Sequence, residues 1–231
     1  MTDKPFFWTL RTYSQKVAWR CRNPDRRVDY RTWADKHLAK AIARPHFKVA
    51  ESYLVVTHPD EIDIARLPAT FVMKATHGWD MSLLVRDGVV QGGNRSLTGA
   101  GRSADTAFLR QLAQTWLDSK KEARRRARER HYGRVDPGIV FEQLIEPIDH
   151  ELQLFLFSGE FRFALVGYRG FHHSGATHRV YDQHWLRLPP GSEEAATRYE
   201  REAPETPRPP ADLLEALGRL CRHIDHVRVD F

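Results

Sequence analysis

Apolar and polar positions change rhythm several times along this chain, and each change marks an element. Through about Arg44, apolar and aromatic residues such as Val17, Trp19, Trp33, Leu38 and Ile42 are interrupted by basic ones, a helical pattern that Pro24 and the polar run 25–29 divide. From 49 to 56 the residues turn β-branched and aromatic, which predicts a strand. His58-Pro59-Asp60-Glu61 predicts a turn entering a short helix that Pro68 ends. Residues 70–75 predict a strand with Lys74 near its end, followed by the polar, glycine-containing run 76–80. Two apolar runs, 81–85 and 89–90, flank Arg86-Asp87-Gly88, a hairpin signal. Gly92, Gly93, Gly99 and Gly101 then predict a mobile loop.

The second half is read in the same way. Phe108, Leu109, Leu112, Trp116 and Leu117 fall on one face of a long helix over 108–132, whose later turns are almost wholly charged. Strands follow at 139–142, 151–157 and 161–168, the last two joined at Ser158-Gly159 as a two-stranded antiparallel unit. Residues 189–212, rich in Pro, Glu and Arg, predict a loop; a helix over 212–223 and a strand over 227–231 close the sequence. The expected class is α+β with two lobes. Its divisions are an N-terminal helical segment (1–45), a small α/β lobe (46–107), a basic connecting helix (108–134) and a C-terminal antiparallel lobe (135–231).

Composition narrows the class without choosing a function. With 231 residues, 41% hydrophobic and 29% charged, the chain has the make-up of an ordered protein, and no window approaches a bilayer span. The aromatic-rich start does not read as a signal peptide, so a cytoplasmic protein is expected, with the start able to lie against the inner face of a membrane. Two cysteines, Cys21 and Cys221, are too few for a disulfide framework. A formal charge of +6 favours polyanions in general: nucleotides, nucleic acids, lipid head groups or acidic polymers.

Several residues carry candidate chemistry. Lys74 is either a phosphate ligand projected from a rigid strand, with the amides of the following turn completing an anion nest, or an ordinary strand-end lysine. Glu142 to Ile145 can offer backbone groups to an adenine edge, or simply leave a sheet. Glu151 and Asp230 border apolar runs where carboxylates suit magnesium, or are solvated turn residues. On the long helix Lys120, Lys121, Arg124, Arg125 and Arg128 form a positive rod, either a solvated face or a surface for an acidic polymer or nucleic acid. The five histidines between 150 and 184 match no zinc spacing, and neither a GxxxxGK[ST] loop nor a GxSxG elbow occurs.

Taken in order, six segments resemble one family. Ala34-Asp35-Lys36, the run from Leu67 to Gly78, Ile139-Val140-Phe141-Glu142, Phe157-Ser158-Gly159, Tyr181 to Trp185 and Val227 to Phe231 are similar to ATP-grasp proteins of the teichuronopeptide-biosynthesis (TupA-like) type, found among bacterial surface-polysaccharide genes. The resemblance covers most of the chain from about residue 33. It implies an ATP-grasp-like fold with a nucleotide cleft between two lobes and ATP and Mg2+ as cofactors. It further implies that Lys74 contacts the ATP phosphates, with Thr76, His77, Gly78 and Trp79 in the turn beside them. Glu142, Gln143, Leu144 and Ile145 would form the adenine-binding hinge, and Asp230 would be a magnesium ligand. Family chemistry activates a carboxylate as an acylphosphate that an amine attacks.

Two departures bear on catalysis. Glu151-Leu152-Gln153 stands where the family has Asp-Tyr-Lys, which removes a positive charge near the nucleotide. The family pattern also continues past the Val-Asp-Phe strand to a metal-binding Glu, so a C-terminally shortened lobe is expected; a fragment, a binder without turnover, or a homo-oligomer completing the strand would each account for it. The expected function is an ATP-grasp nucleotide binder of surface-polymer synthesis, with carboxylate–amine ligase activity toward an acidic polysaccharide or polypeptide acceptor. A non-enzymatic polyanion-binding module and ATP-dependent phosphotransfer to a sugar are the alternatives.

Overall fold

The structure is a computed structural model that describes residues 9, 11–78, 80–93, 100–119, 135–146, 150–168, 177–189 and 208–231. Three helices open it: α1 (Tyr13–Arg22), α2 (Tyr30–Ala34) and α3 (Lys36–Ala43). Each begins at a polar cap. The Thr12 hydroxyl and the Gln15 side chain form a reciprocal capping box at α1, and Asp35 accepts from the amides of His37 and Leu38 at α3. In place of the short helix expected before Pro68 there are two 3-10 turns, Pro59–Glu61 and Ile64–Arg66.

The first sheet contains β1 (Ser52–Val56), β2 (Phe71–Ala75), β3 (Ser82–Arg86), β4 (Val89–Gly93) and β5 (Ile139–Glu142), in the order β1-β5-β2-β3-β4, every pair antiparallel. Strict alternation along β2 decides what each face carries. Phe71, Met73 and Ala75 are buried in a core that includes Leu83, Val85, Ile139 and Phe141, together with Phe108, Leu109, Ala113 and Trp116 of helix α4 (Thr106–Asp118). Val72 and Lys74 point to the opposite face. Asp87 and Gly88, with φ of 50° and 73°, make the tight β3–β4 turn that the Asp-Gly pair predicted. Gly92 and Gly93 belong to β4 rather than to a loop, and Gly99 lies outside the described residues.

The second sheet contains β6 (His150–Phe157), β7 (Glu160–Tyr168), β8 (Thr177–Asp182) and β9 (Val227–Asp230), in the order β8-β7-β6-β9. The expected two-stranded unit is therefore four-stranded, with β9 paired along β6 from Gln153↔Asp230 to Leu156↔Val227. Helix α5 (Ala211–Cys221) contacts β7. Its Gly218 meets the β6–β7 turn, where Gly159 has φ of 83° and a Cβ would lie 2.4 Å from the Gly218 carbonyl oxygen.

The chain divides into two compact units, Met1–Leu144 and Ile145–Phe231. This corrects the expected boundary at 135. Strand β5 belongs to the first sheet because it inserts between β1 and β2, a pairing across more than 60 residues of sequence from β2 that local composition does not encode. No helix among the described residues is long and apolar enough to cross a membrane.

Two stability predictions follow from the second unit. Gly159→Ala places a side chain in the left-handed region and against backbone, so it should cost about 2 kcal/mol or more, read as a shift in denaturation midpoint. His226 is half-buried, its ring centroid 4.9 Å from that of Phe157, and desolvation, reinforced by the Arg228 guanidinium, lowers its pKa to about 4. The unfolded chain then binds the proton first as pH falls below about 6.5, so stability is complete above that value and declines toward pH 4. Between pH 6.5 and 5 this site should remove about 2 kcal/mol, and His226→Asn should flatten that part of a melting-temperature profile.

Candidate functional site

The site is built on the face of the first sheet opposite α4. Glu142 ends β5 with Ser52 of β1 on one side and Val72 of β2 on the other, so its carboxylate stands mid-sheet with only 4% of the side chain exposed. Lys74, opposite Val140, is its diagonal neighbour on the same face; its Nζ is 2.6 Å from Glu142 Oε1. The other oxygen, Oε2, is held by the Lys40 ammonium from α3. Burial alone pushes the Glu142 carboxyl up, but the charges of Lys74 and then Lys40, with the hydrogen bonds each donates, outweigh it and hold the group below its ordinary value.

Helix α3 is seated by its own first residue. The Lys36 amide donates to the Thr76 carbonyl at 3.3 Å, and its ammonium donates to the carbonyls of Ala75, at 2.7 Å, and Gly78. Lys40 lies one helical turn farther on, so seating Lys36 on the loop after β2 aims Lys40 at Glu142. Lys40 was not singled out by the sequence. A signal existed in the i,i+4 spacing of two lysines behind an aspartate cap, but it reads equally as a solvated helix face. The side chains differ in access: Lys74 is 36% exposed and Lys40 is 20% exposed, against 4% for Glu142.

The remaining predicted residues fall in different places. The Thr76 amide donates to the Gly138 carbonyl at 2.9 Å, and the Ala75 amide to Met81 at 3.0 Å, so these two do not form the expected anion nest. His77 is fully buried on the α4 side, its Nε2 3.0 Å from the Trp116 carbonyl; since that oxygen only accepts, Nε2 carries the proton. The ring is directed into the core and away from Lys74. Gly78 contributes its carbonyl to Lys36, and Trp79 lies outside the described residues. The Gln143 amide donates to the Glu51 carbonyl at 2.8 Å, Leu144 is the last residue of the first unit, and Ile145 is exposed. The basic residues Lys120, Lys121, Arg124, Arg125 and Arg128 also lie outside the described residues.

Glu151 and Asp230 belong to the second unit. Glu151 pairs in register with Gly167 on β7. Asp230 is half-exposed, and both its oxygens accept from Arg228, from Nε at 2.8 Å and Nη2 at 2.9 Å. The guanidinium thus takes one acceptor site on each oxygen of the carboxylate expected as a magnesium ligand. Among the described residues, no group of three or more His, Cys, Asp and Glu converges as a metal site.

Compared with solved structures, the chain is similar to a D-alanine–D-alanine ligase from Bacillus anthracis complexed with ATP, at 14% identity over 86% of this chain and 50% of that one, with a TM-score of 0.44. It is also similar to the ATP-grasp ligase PsnB complexed with its minimal precursor, at 14% identity over 87% of this chain and 48% of that one, with a TM-score of 0.40. The chain thus spans about half the length of these structures. No family model and no curated protein matches it.

Breaking the ion cluster tests its weight. Glu142→Ala leaves two ammonium groups facing each other and should destabilise the first unit by about 3–5 kcal/mol in denaturant titrations; Lys74→Met, at the more exposed position, should cost less. The stabilisation held by Glu142 is present above pH ~4.5 and is lost as pH falls through its lowered folded value, so Glu142→Ala should lose the wild-type dependence in that acid range.

Proposed function

We infer that this protein binds ATP in the manner of ATP-grasp proteins, with the phosphates at Lys74. One observation carries the inference: two ammonium groups share one buried carboxylate, so the cluster has a surplus positive charge, and its most accessible member is Lys74. A lysine steadied by a glutamate from a neighbouring element is a recurrent way to present a point charge to nucleotide phosphates. The ordered sequence segments support the same assignment, since Lys36, Lys74 and Glu142 all lie within them.

In this reading Glu142 keeps Lys74 extended from β2, and the charge of Lys74 offsets negative charge on the phosphates. The segment 143–145, directly after Glu142, is taken as the adenine-side contact. Magnesium would supply charge neutralisation on the nucleotide phosphates, and no ligand on this chain is assigned to it. The class of reaction is carboxylate–amine ligation through an acylphosphate, in the synthesis of a bacterial surface polymer. Product analysis separates this from phosphotransfer, since ligation yields an amide and phosphotransfer yields a phosphoester.

Calorimetry with ATP and magnesium is the direct check. Binding with Kd at or below about 1 mM is expected, and Lys74→Ala should weaken it by at least about tenfold through loss of a charge-assisted contact. An absence of heat and of competition at millimolar nucleotide would remove the assignment.

A further inference from the structure

Resting on the assignment of phosphates to Lys74, we propose that Lys40 is a positioning residue that frees Lys74 for the anion by keeping Glu142 neutralised. The geometry sets a specific problem. Glu142 is almost fully buried, and in the structure its Oε1 is held by Lys74 at 2.6 Å. A lysine that turns to a phosphate weakens its hold on the carboxylate, and a buried carboxylate without a cation is unfavourable. If Lys74 were the sole partner of Glu142, each binding event would strand that charge.

Lys40 resolves the problem because it takes the other oxygen, Oε2, from a different element. Its helix does not depend on Lys74. α3 is seated through Lys36, whose amide and ammonium bond the carbonyls of Thr76, Ala75 and Gly78. Lys40 is also less exposed than Lys74, 20% against 36%, which suits a cation that stays while its neighbour moves. The carboxylate thereby acts as a shared anchor, with Lys40 the permanent partner and Lys74 the exchangeable one. Lys40 need not touch the nucleotide to control its affinity.

The test compares wild type, Lys40→Arg, Lys40→Met and the double variant Lys40→Met/Glu142→Gln, each verified as folded by circular dichroism. ATP with magnesium and inorganic tripolyphosphate serve as probes. Lys40→Arg should bind both within about threefold of wild type. Lys40→Met should bind at least about tenfold more weakly at pH 7.5, and should regain affinity as the pH is lowered toward 5.5, because its Glu142 becomes able to take a proton. The double variant should bind at least about threefold more tightly than Lys40→Met at pH 7.5, since no charge remains to be stranded, while staying weaker than wild type because the carboxylate that steadies Lys74 is gone; should Lys40→Met fail to fold, the double variant and Lys40→Arg carry the test.

Equal, pH-independent binding by wild type and Lys40→Met overturns the proposal while leaving the nucleotide assignment intact. A double variant as weak as Lys40→Met also overturns it, because Lys40 would then be a direct ligand or a purely structural residue. Failure of wild type to bind either probe removes the nucleotide assignment itself, and the role of Lys40 with it.

Discussion

A carboxylate placed in the middle of a sheet has to be compensated, and at Glu142 that requirement organises the first unit. Two cations from separate elements meet it, one from the strand beside it and one from a helix laid over the face. Neither alone would do the same. Lys74 by itself would fix the carboxylate but could not leave it, and Lys40 by itself would leave Lys74 without a steadying partner. The pairing is therefore both a constraint on the fold and the reason that a charged, accessible side chain is held at a defined place.

The sheet supplies the rigidity this arrangement needs. Phe71, Met73 and Ala75 alternate with Val72 and Lys74, so the face that packs on α4 fixes the one that carries the lysine. Insertion of β5 between β1 and β2 puts Glu142 within reach of Lys74, and the edge-to-face contact of Phe71 with Phe141, 5.6 Å between centroids, holds those two strands in register from the core side. Helix α3 is a separate part. Its bonds to the loop after β2 make the position of Lys40 depend on the same loop that follows Lys74.

Much of this was legible locally. Strand composition marked β2 and β5, the Asp-Gly and Ser-Gly pairs marked both hairpins, and a lysine at the end of an apolar strand marked Lys74. What was not legible depended on distance in sequence. The pairing of β5 with β2 reaches across the β3–β4 hairpin and helix α4, so Ile139–Glu142 read as the start of the second lobe. Lys40 looked like one of many lysines on a basic helical stretch, because its partner lies 102 residues away. At Asp230 the separation is short instead: its partner Arg228 is two residues away on the same strand face, inside the apolar run that marks β9. His77 likewise sat in the right segment with its side chain on the core side, since a turn residue's direction is set by packing that the sequence leaves open.

In the proposed function Lys74, held by Glu142, meets the phosphates of a nucleotide. A crystal structure with a non-hydrolysable ATP analogue tests it most directly. A phosphate oxygen within hydrogen-bonding distance of Lys74 Nζ, with Lys40 still on Glu142, is the expected result. Phosphates bound elsewhere, with Lys74 still closed on Glu142, would contradict it.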